Sequence, residues 1–327
     1  MAYKIGIPRG LYYYRFFPLW ERFFQNIGMN VVVSPATNKI IMNTGIKLSV
    51  DECCLPVKIY HGHVAELCKK TDILFIPRFT SISKDEYICP KFGGLPDVIK
   101  ADISKTPKII DTEIDMHKSK RDKVEAAVKV GRSIGVSRKF STAAFRDAVV
   151  HYRDYRQRIK KGCFPEHILD KNKFGVSISK KYRVMILGHC YNIYDSYVNM
   201  NMVEKLGNMG AEVVTMDMFD ELLLRKTCTL NKKMFWNFGT RAMGAVMNAI
   251  NTGCVDGIIY LMSFGCGIDS FVCTMAEYRI RHRSSIPFSL ITLDEHSGEA
   301  GVDTRLEAFM DMIEWRNSNE SNLSPSG

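Results

Sequence analysis

At 327 residues, 46% hydrophobic and 24% charged, the chain is too long for one ordinary compact domain and too apolar for a disordered one, so two folded lobes are expected. Its net charge of +10 is regional: residues 115–183 hold 19 Lys and Arg against 7 Asp and Glu, and the rest of the chain holds 26 against 28. That stretch reads as helical, without aromatic stacking platforms or a helix-turn-helix pattern, which argues against a nucleic-acid partner. A solvated helix face fits it, as do an acidic partner or the phosphates of a nucleotide-like cofactor.

No apolar run approaches the roughly 20 residues that span a bilayer, and the N-terminal MAYKIGIPRG lacks a secretory signal. A cytoplasmic chain without a membrane partner is therefore expected. In that reducing compartment ten cysteines are not a disulfide framework, so thiol packing, metal binding or redox chemistry must account for them.

Lys4–Pro8 opens the chain as a short strand, followed by a turn at Arg9-Gly10 and an aromatic helix from about Tyr12 to Ile27 that Gly28 can cap. Further continuous apolar runs stand at Val31–Ser34, Ile73–Pro77 and Lys108–Asp111. Such runs alternating with helical stretches indicate parallel strands covered on both faces. Between the halves, residues 142–161 place Phe145, Val149, Tyr152 and Ile159 on one helical stripe, with Gly162 as a stop. The strand pattern then recurs at Arg183–Gly188, Glu212–Met216, Gly257–Met262 and Phe288–Leu293, with a helix expected at Tyr197–Leu206. The predicted fold is α/β: two Rossmann-like parallel-sheet lobes, 1–114 and 181–315, facing a central cleft. A basic helical connecting region, 115–180, joins them, and a polar tail at 316–327 is expected to be disordered.

Ligands of open parallel sheets collect beyond the carboxyl ends of the strands, and the distinctive polar residues fall in loops there. Three of those loops set a cysteine beside residues that shape the backbone: Cys54-Leu-Pro, Cys89-Pro and Gly-Cys266-Gly. Soft thiolates suit iron-sulfur clusters, zinc or copper(I). Spacing alone fits three unrelated structural cysteines as well as a metal site, because it matches no compact zinc or ferredoxin motif. His189 follows a strand. Glu295 and His296 are acid/base candidates, in a loop whose residues also suit capping a helix near Ala300.

The stretches IGIPRGLYYY, DECCLPVKIYHGHV, EYICPKFGGLPD, ILGHCYNIYD, SFGCGIDSFV and TLDEHSGEAGVDTRLEAF resemble the 2-hydroxyacyl-CoA dehydratase superfamily, in the branch labelled activase-related or dehydratase D-component-like, over about residues 3–313. The resemblance implies a bilobed protein holding a [4Fe-4S] or double-cubane iron-sulfur cluster, in a homodimer or heterodimer. A separate ATP-dependent activase supplies one low-potential electron, which the cluster passes to an acyl-CoA or other small substrate to form a ketyl radical that eliminates water. Carried over by motif, the metal ligands are Cys54, Cys89 and Cys266. Arg9, Gly10, Lys58 and Lys91 become candidates for binding the anionic cofactor or substrate, and His189, Glu295 and His296 for proton transfer.

Three departures bear on this ligand set: Cys53 adjoins Cys54, Cys190 stands where relatives tend to read proline, and Ile268 replaces a proline after Gly-Cys-Gly. The chain has no G-x-x-x-x-G-K-[ST] loop, so ATP hydrolysis is expected in another polypeptide. A redox enzyme component, a non-catalytic electron-transfer subunit and a zinc-bound or metal-free small-molecule binder are the functions that stay open.

Overall fold

The computed structural model describes residues 3–117, 122–169 and 180–322, and the chain forms two compact units. Unit 1 comprises Met1–Asn172 with Leu230–Thr240, and unit 2 comprises Lys173–Thr229 with Arg241–Gly327.

Unit 1 begins with β1 (Lys4–Ile7), α1 (Tyr13–Asn26), β2 (Asn30–Val33), α2 (Lys39–Leu48) and α3 (Leu55–Cys68). It continues through β3 (Ile73–Phe75), β4 (Arg78–Ser81), α4 (Pro90–Asp102), β5 (Lys108–Ile110) and β6 (Glu113–Asp115). The four apolar runs pair in parallel, in the order β2-β1-β3-β5. A second, two-stranded parallel ladder joins β4 to β6. Its segments, RFTS and EID, are too short and polar to announce themselves as strands.

The residues α5 (Asp122–Ser133), α6 (Arg138–Lys160) and α7 (Pro165–Leu169) also fold with unit 1. Along α1 the apolar positions recur at helical spacing, and nine of its 14 residues are buried. Trp20 and Phe23 of α1 meet Phe145 of α6, while Trp20 and Phe24 meet Phe75 of β3. The expected stripe on α6 therefore packs on α1, with Phe145 and Ile159 buried and Val149 and Tyr152 at its half-buried edge.

The crossing of α2 and α3 brings backbone against backbone. A Cβ at Gly62 would lie 2.0 Å from the Ile41 carbonyl oxygen, and one at Gly45 would lie 1.9 Å from that of Lys58. No other residue fits without separating the helices, and their contact fixes the position of α3, which starts just after Cys54.

Unit 2 contains β7 (Tyr182–Gly188), α8 (Cys190–Ile193), α9 (Met202–Asn208), β8 (Ala211–Thr215) and α10 (Glu221–Thr227). Then follow α11 (Asn237–Thr252), whose first residues belong to unit 1, β9 (Gly257–Ser263), α12 (Gly267–Arg283), β10 (Phe288–Leu293) and α13 (Glu299–Asn322). Its sheet is again fully parallel, ordered β10-β9-β7-β8. In both units the first strand of the sheet lies between the second and the third. The chain therefore reverses its winding beside that strand, which opens a crevice at the strands' carboxyl ends.

Three expectations need correction. The helix expected from Tyr197 starts at Met202, because Asp195 caps the N–H groups of Tyr197 and Val198 and the chain then passes through left-handed Met200 and Asn201. The polar stretch expected as a disordered tail is helical to Asn322, and residues 323–327 lie outside those described. Leu230–Thr240, expected in the C-terminal lobe, belongs to unit 1. There Tyr87 donates its N–H to the Phe235 carbonyl, Asn237 donates its own to Tyr87, and the Asn237 side chain donates to Glu86. Among the described residues no helix is long and apolar enough to cross a membrane.

Candidate functional site

The three cysteines singled out by their loops share one structural role. Cys54 is the residue preceding α3, Cys89 the one preceding α4, and Cys266 the one preceding α12, so each is the N-cap of a helix of 13 to 17 residues. The prolines beside the first two explain the local fold: Pro56 and Pro90 occupy the opening positions of their helices, where a missing N–H costs nothing. A helix N-terminus presents unsatisfied N–H groups and a partial positive charge, which favours a thiolate over a thiol.

In unit 1, burial pushes the Cys54 thiol up from its ordinary value, while the Lys91 ammonium and the neighbouring Val57 N–H draw it down. Cys89 and Cys53 raise it again, so these thiols are close enough to feel one another's charge. A metal ion would reverse that balance, since a coordinating thiol loses its proton outright.

The anion-binding candidates are also in unit 1. The Arg9 N–H donates to Ser34 Oγ at 2.9 Å and its guanidinium lies over Tyr13. The Arg9-Gly10 turn rests against Tyr60 and His63 of α3. Lys58 is buried on α3, and Lys91 is exposed on the first turn of α4. An apolar cavity opens at the carboxyl ends of β1 and β3, lined in part by Pro8, Gly10, Tyr60, Pro77 and Phe92.

His61 and His63 are hydrogen-bonded residues of α3. His61 bonds the Val57 carbonyl and Asp102, and His63 Nε2 lies 3.0 Å from Thr37 Oγ1. Burial, with the Arg9 charge, pushes the His63 imidazole down to about 3. The unfolded chain takes up this proton near pH 6.5, so the contribution of neutral His63 is intact above that pH and is lost progressively as pH falls towards 3. Urea titrations from pH 7 to 4 are expected to show His63→Gln losing less stability on acidification than the parent chain. Equal losses would remove His63 from the acid response.

In unit 2 the chemistry gathers where β7 and β9 end, beside the reversal in strand order. His189 follows β7 directly, after a glycine that the sheet requires: Gly188 has φ +154°, and a Cβ there would lie 2.5 Å from the Leu261 carbonyl oxygen of β9. Cys266 and Asp269 come from the loop after β9 and the first turn of α12. Among the described residues, the donor atoms of His189, Cys266 and Asp269 form a group lying within 4.8 Å of one another.

His189 and Asp269 are buried and Cys266 is partly exposed. The Asp269 N–H donates to Cys266 Sγ at 3.5 Å, and the Tyr260 hydroxyl donates to Asp269 Oδ1 at 3.1 Å. Beside them, Ser263 Oγ donates to Asn192 Oδ1 at 2.9 Å. Burial pushes the Asp269 carboxyl up to about 7 against the opposing influence of the Tyr260 hydroxyl, Cys266 and the Ser263 backbone beside it, and burial with the Arg241 charge pushes His189 down to about 3. His189 Nε2 and Asp269 Oδ1, 3.6 Å apart, are therefore not an ion pair near neutral pH: the imidazole is neutral and keeps a lone pair.

Asp269 is the residue that pattern reading overlooked. Its sequence signal, an acid three residues after a cap cysteine, is also that of an ordinary helix-dipole partner. Conversely, Glu295 and His296 do not join this group. His296 is exposed and donates its N–H to Asp294 Oδ1, and Asp294 also accepts from Ser297 Oγ, which makes this loop the turn leading into α13. Cys190, buried at the start of α8 beside the Arg241 charge, lies outside the three-donor group as well.

No curated protein matches the sequence. A solved chain from Silicibacter pomeroyi DSS-3, assigned as a phosphosugar isomerase, aligns with 98% of this chain and 87% of its own length at 10% identity, with a TM-score of 0.22, too low to carry an argument. The match that does is to a sequence family: the model described as CoA enzyme activase uncharacterised domain (DUF2229) covers residues 4–219, about two thirds of the chain, and the chain belongs to that family.

Proposed function

We propose that this protein is an iron-sulfur component of the 2-hydroxyacyl-CoA dehydratase type, in the D-component-like branch, with Cys54, Cys89 and Cys266 as its cluster ligands. The observation that carries the proposal is that each of these cysteines stands at the N-cap position of a long helix, whose partial positive charge acts toward the thiolate and whose first backbone N–H groups are at hand for cluster sulfides. The donor set also fits an iron-sulfur centre chemically: soft sulfur on rigid, proline- or glycine-flanked caps. A bound cluster supplies one-electron transfer at a potential set by its charge, hydrogen bonds and exposure.

The chain's own residues prepare the surroundings. Lys91, whose charge already acts on Cys54, offsets the negative charge of thiolates and of an anionic substrate. Arg9 stands at the carboxyl end of β1 as a second cation, and the apolar cavity beside it suits the hydrocarbon part of an acyl group. His189, buried and neutral at the end of β7, offers an imidazole lone pair. Membership of a CoA enzyme activase-related family points to an ATP-dependent activase as the electron donor, a separate protein in this proposal.

The test is to reconstitute the chain anaerobically, add ATP and a cognate activase, and follow cluster reduction and turnover over a panel of acyl-CoA thioesters. ATP-dependent reduction coupled to product formation is expected. Reduction without turnover would make the chain an electron-transfer subunit, and no reduction by any activase would sink the assignment to this redox class.

A further inference from the structure

The geometry points to a mixed donor set at Cys266: we propose that the metal held by this thiolate is also bound by His189 and by a carboxylate oxygen of Asp269. A single divalent ion and an iron of the proposed cluster share this chemistry, a borderline transition metal that accepts sulfur, nitrogen and oxygen together. The assignment concerts residues of unit 2 alone.

Three observations carry it. The three donor atoms lie within 4.8 Å of one another. Donors at the corners of a tetrahedron with metal bonds of about 2.0–2.3 Å are roughly 3.3–3.8 Å apart, and His189 Nε2 and Asp269 Oδ1 already stand at 3.6 Å. That separation is too long for a hydrogen bond and right for two ligands of one ion. Asp269 Oδ2 is buried without a hydrogen-bond partner on a fully buried side chain, a cost that a metal bond removes.

The surroundings are those of a ligand set held in place. Tyr260, itself fully buried, donates to Asp269 Oδ1 and fixes the carboxylate plane. His189 stacks on Tyr191 at 4.8 Å with its ring nearly parallel. Asn192, one turn beyond His189, is fully buried and keeps an unpartnered Nδ2 beside its bond from Ser263, a donor suited to a water or substrate oxygen on the metal's open position. For a single four-coordinate ion, three protein ligands leave one such position open, as in catalytic rather than structural sites.

The test uses the full chain, freed of iron and kept anaerobic, titrated with Co2+ alone. One equivalent should bind, giving a thiolate-to-cobalt absorption band and the strong visible bands of a four-coordinate ion. His189→Ala and the isosteric Asp269→Asn should each weaken binding by at least about tenfold, and Cys266→Ser should abolish the thiolate band, while the double variant Cys54→Ser/Cys89→Ser should still bind one equivalent with a single-thiolate band.

Wild-type binding in both His189→Ala and Asp269→Asn would overturn the proposal. So would loss of the band in the double variant, an outcome that would leave the cluster ligands of the proposed function standing. Should a variant fail to fold, 113Cd NMR of the unaltered chain decides: a resonance typical of one thiolate with nitrogen and oxygen ligands supports the mixed set, and one typical of three thiolates contradicts it. Iron and sulfide analysis of the same variants after anaerobic reconstitution separates the two metal sources. A cluster that forms without His189 and Asp269 limits their role to the single ion, and one that needs them extends it to the iron.

Discussion

Replacing Arg241 by methionine is expected to destabilise the protein by about 3–5 kcal/mol, because it leaves a carboxylate buried without its counter-charge. Arg241 and Asp217 are both almost fully buried, and the guanidinium donates to Asp217 Oδ1 at 2.6 Å. Its Nε lies 3.2 Å from Glu221. Burial works against the Arg241 charge, but Glu221 and Asp217 outweigh it and hold the group above its ordinary value.

The other oxygen of Asp217 accepts from the Tyr194 hydroxyl at 3.1 Å, and that hydroxyl shares a 2.7 Å bond with Thr215. Without Arg241 this network retains a carboxylate that hydroxyls alone cannot neutralise. Tyr194 directly follows α8, the helix that His189 caps, so the loss should reach the candidate site as well as the core. Urea unfolding of Arg241→Met, Asp217→Asn and the double variant measures this. The double variant should recover part of the loss, since it removes the uncompensated charge. A single-variant cost under about 1 kcal/mol would show that water reaches the pair and that its burial has little energetic weight.

The second large effect concerns the cap cysteines. Cys54→Ser, Cys89→Ser and Cys266→Ser are each expected to lose the iron-sulfur absorption and EPR signal after anaerobic reconstitution, because serine offers a hard oxygen where a soft thiolate is required. Cys53→Ser is expected to keep both, as Cys53 lies outside the cap position that Cys54 occupies. Near-native melting of all four variants would separate ligand loss from unfolding. Full iron content in any of the first three would remove that residue from the ligand set, and loss in Cys53→Ser would add Cys53 to it.

Much of the fold was legible because parallel strands covered on both faces must be apolar along their whole length. Ile73–Phe75 and Gly257–Ser263 show this plainly, and every run read as a strand pairs in one of the two four-stranded sheets. The order of the strands was not legible, since pairing partners leave no mark on continuous apolar runs. The placement of Leu230–Thr240 in unit 1 was hidden for a related reason. Main-chain bonds between Tyr87, Phe235 and Asn237 anchor it, and main-chain groups are common to almost all residues.

At the site, cysteines beside Pro56 and Pro90 carried a signal that pattern reading took as loop rigidity and that the structure resolves into helix caps. His189 could be placed at a strand end by its preceding glycine. Asp269 could not, because its role comes from burial against Tyr260 and from proximity to His189, neither of which is encoded locally.

The most direct measurement is iron and acid-labile sulfide analysis, with visible and EPR spectra, on the unaltered chain purified and reconstituted without oxygen. A brown protein with about four iron and four sulfide per chain, and a spectrum that bleaches on reduction, is the result expected for a single cubane. A colourless protein that retains neither iron nor sulfide after reconstitution would contradict cluster binding by Cys54, Cys89 and Cys266.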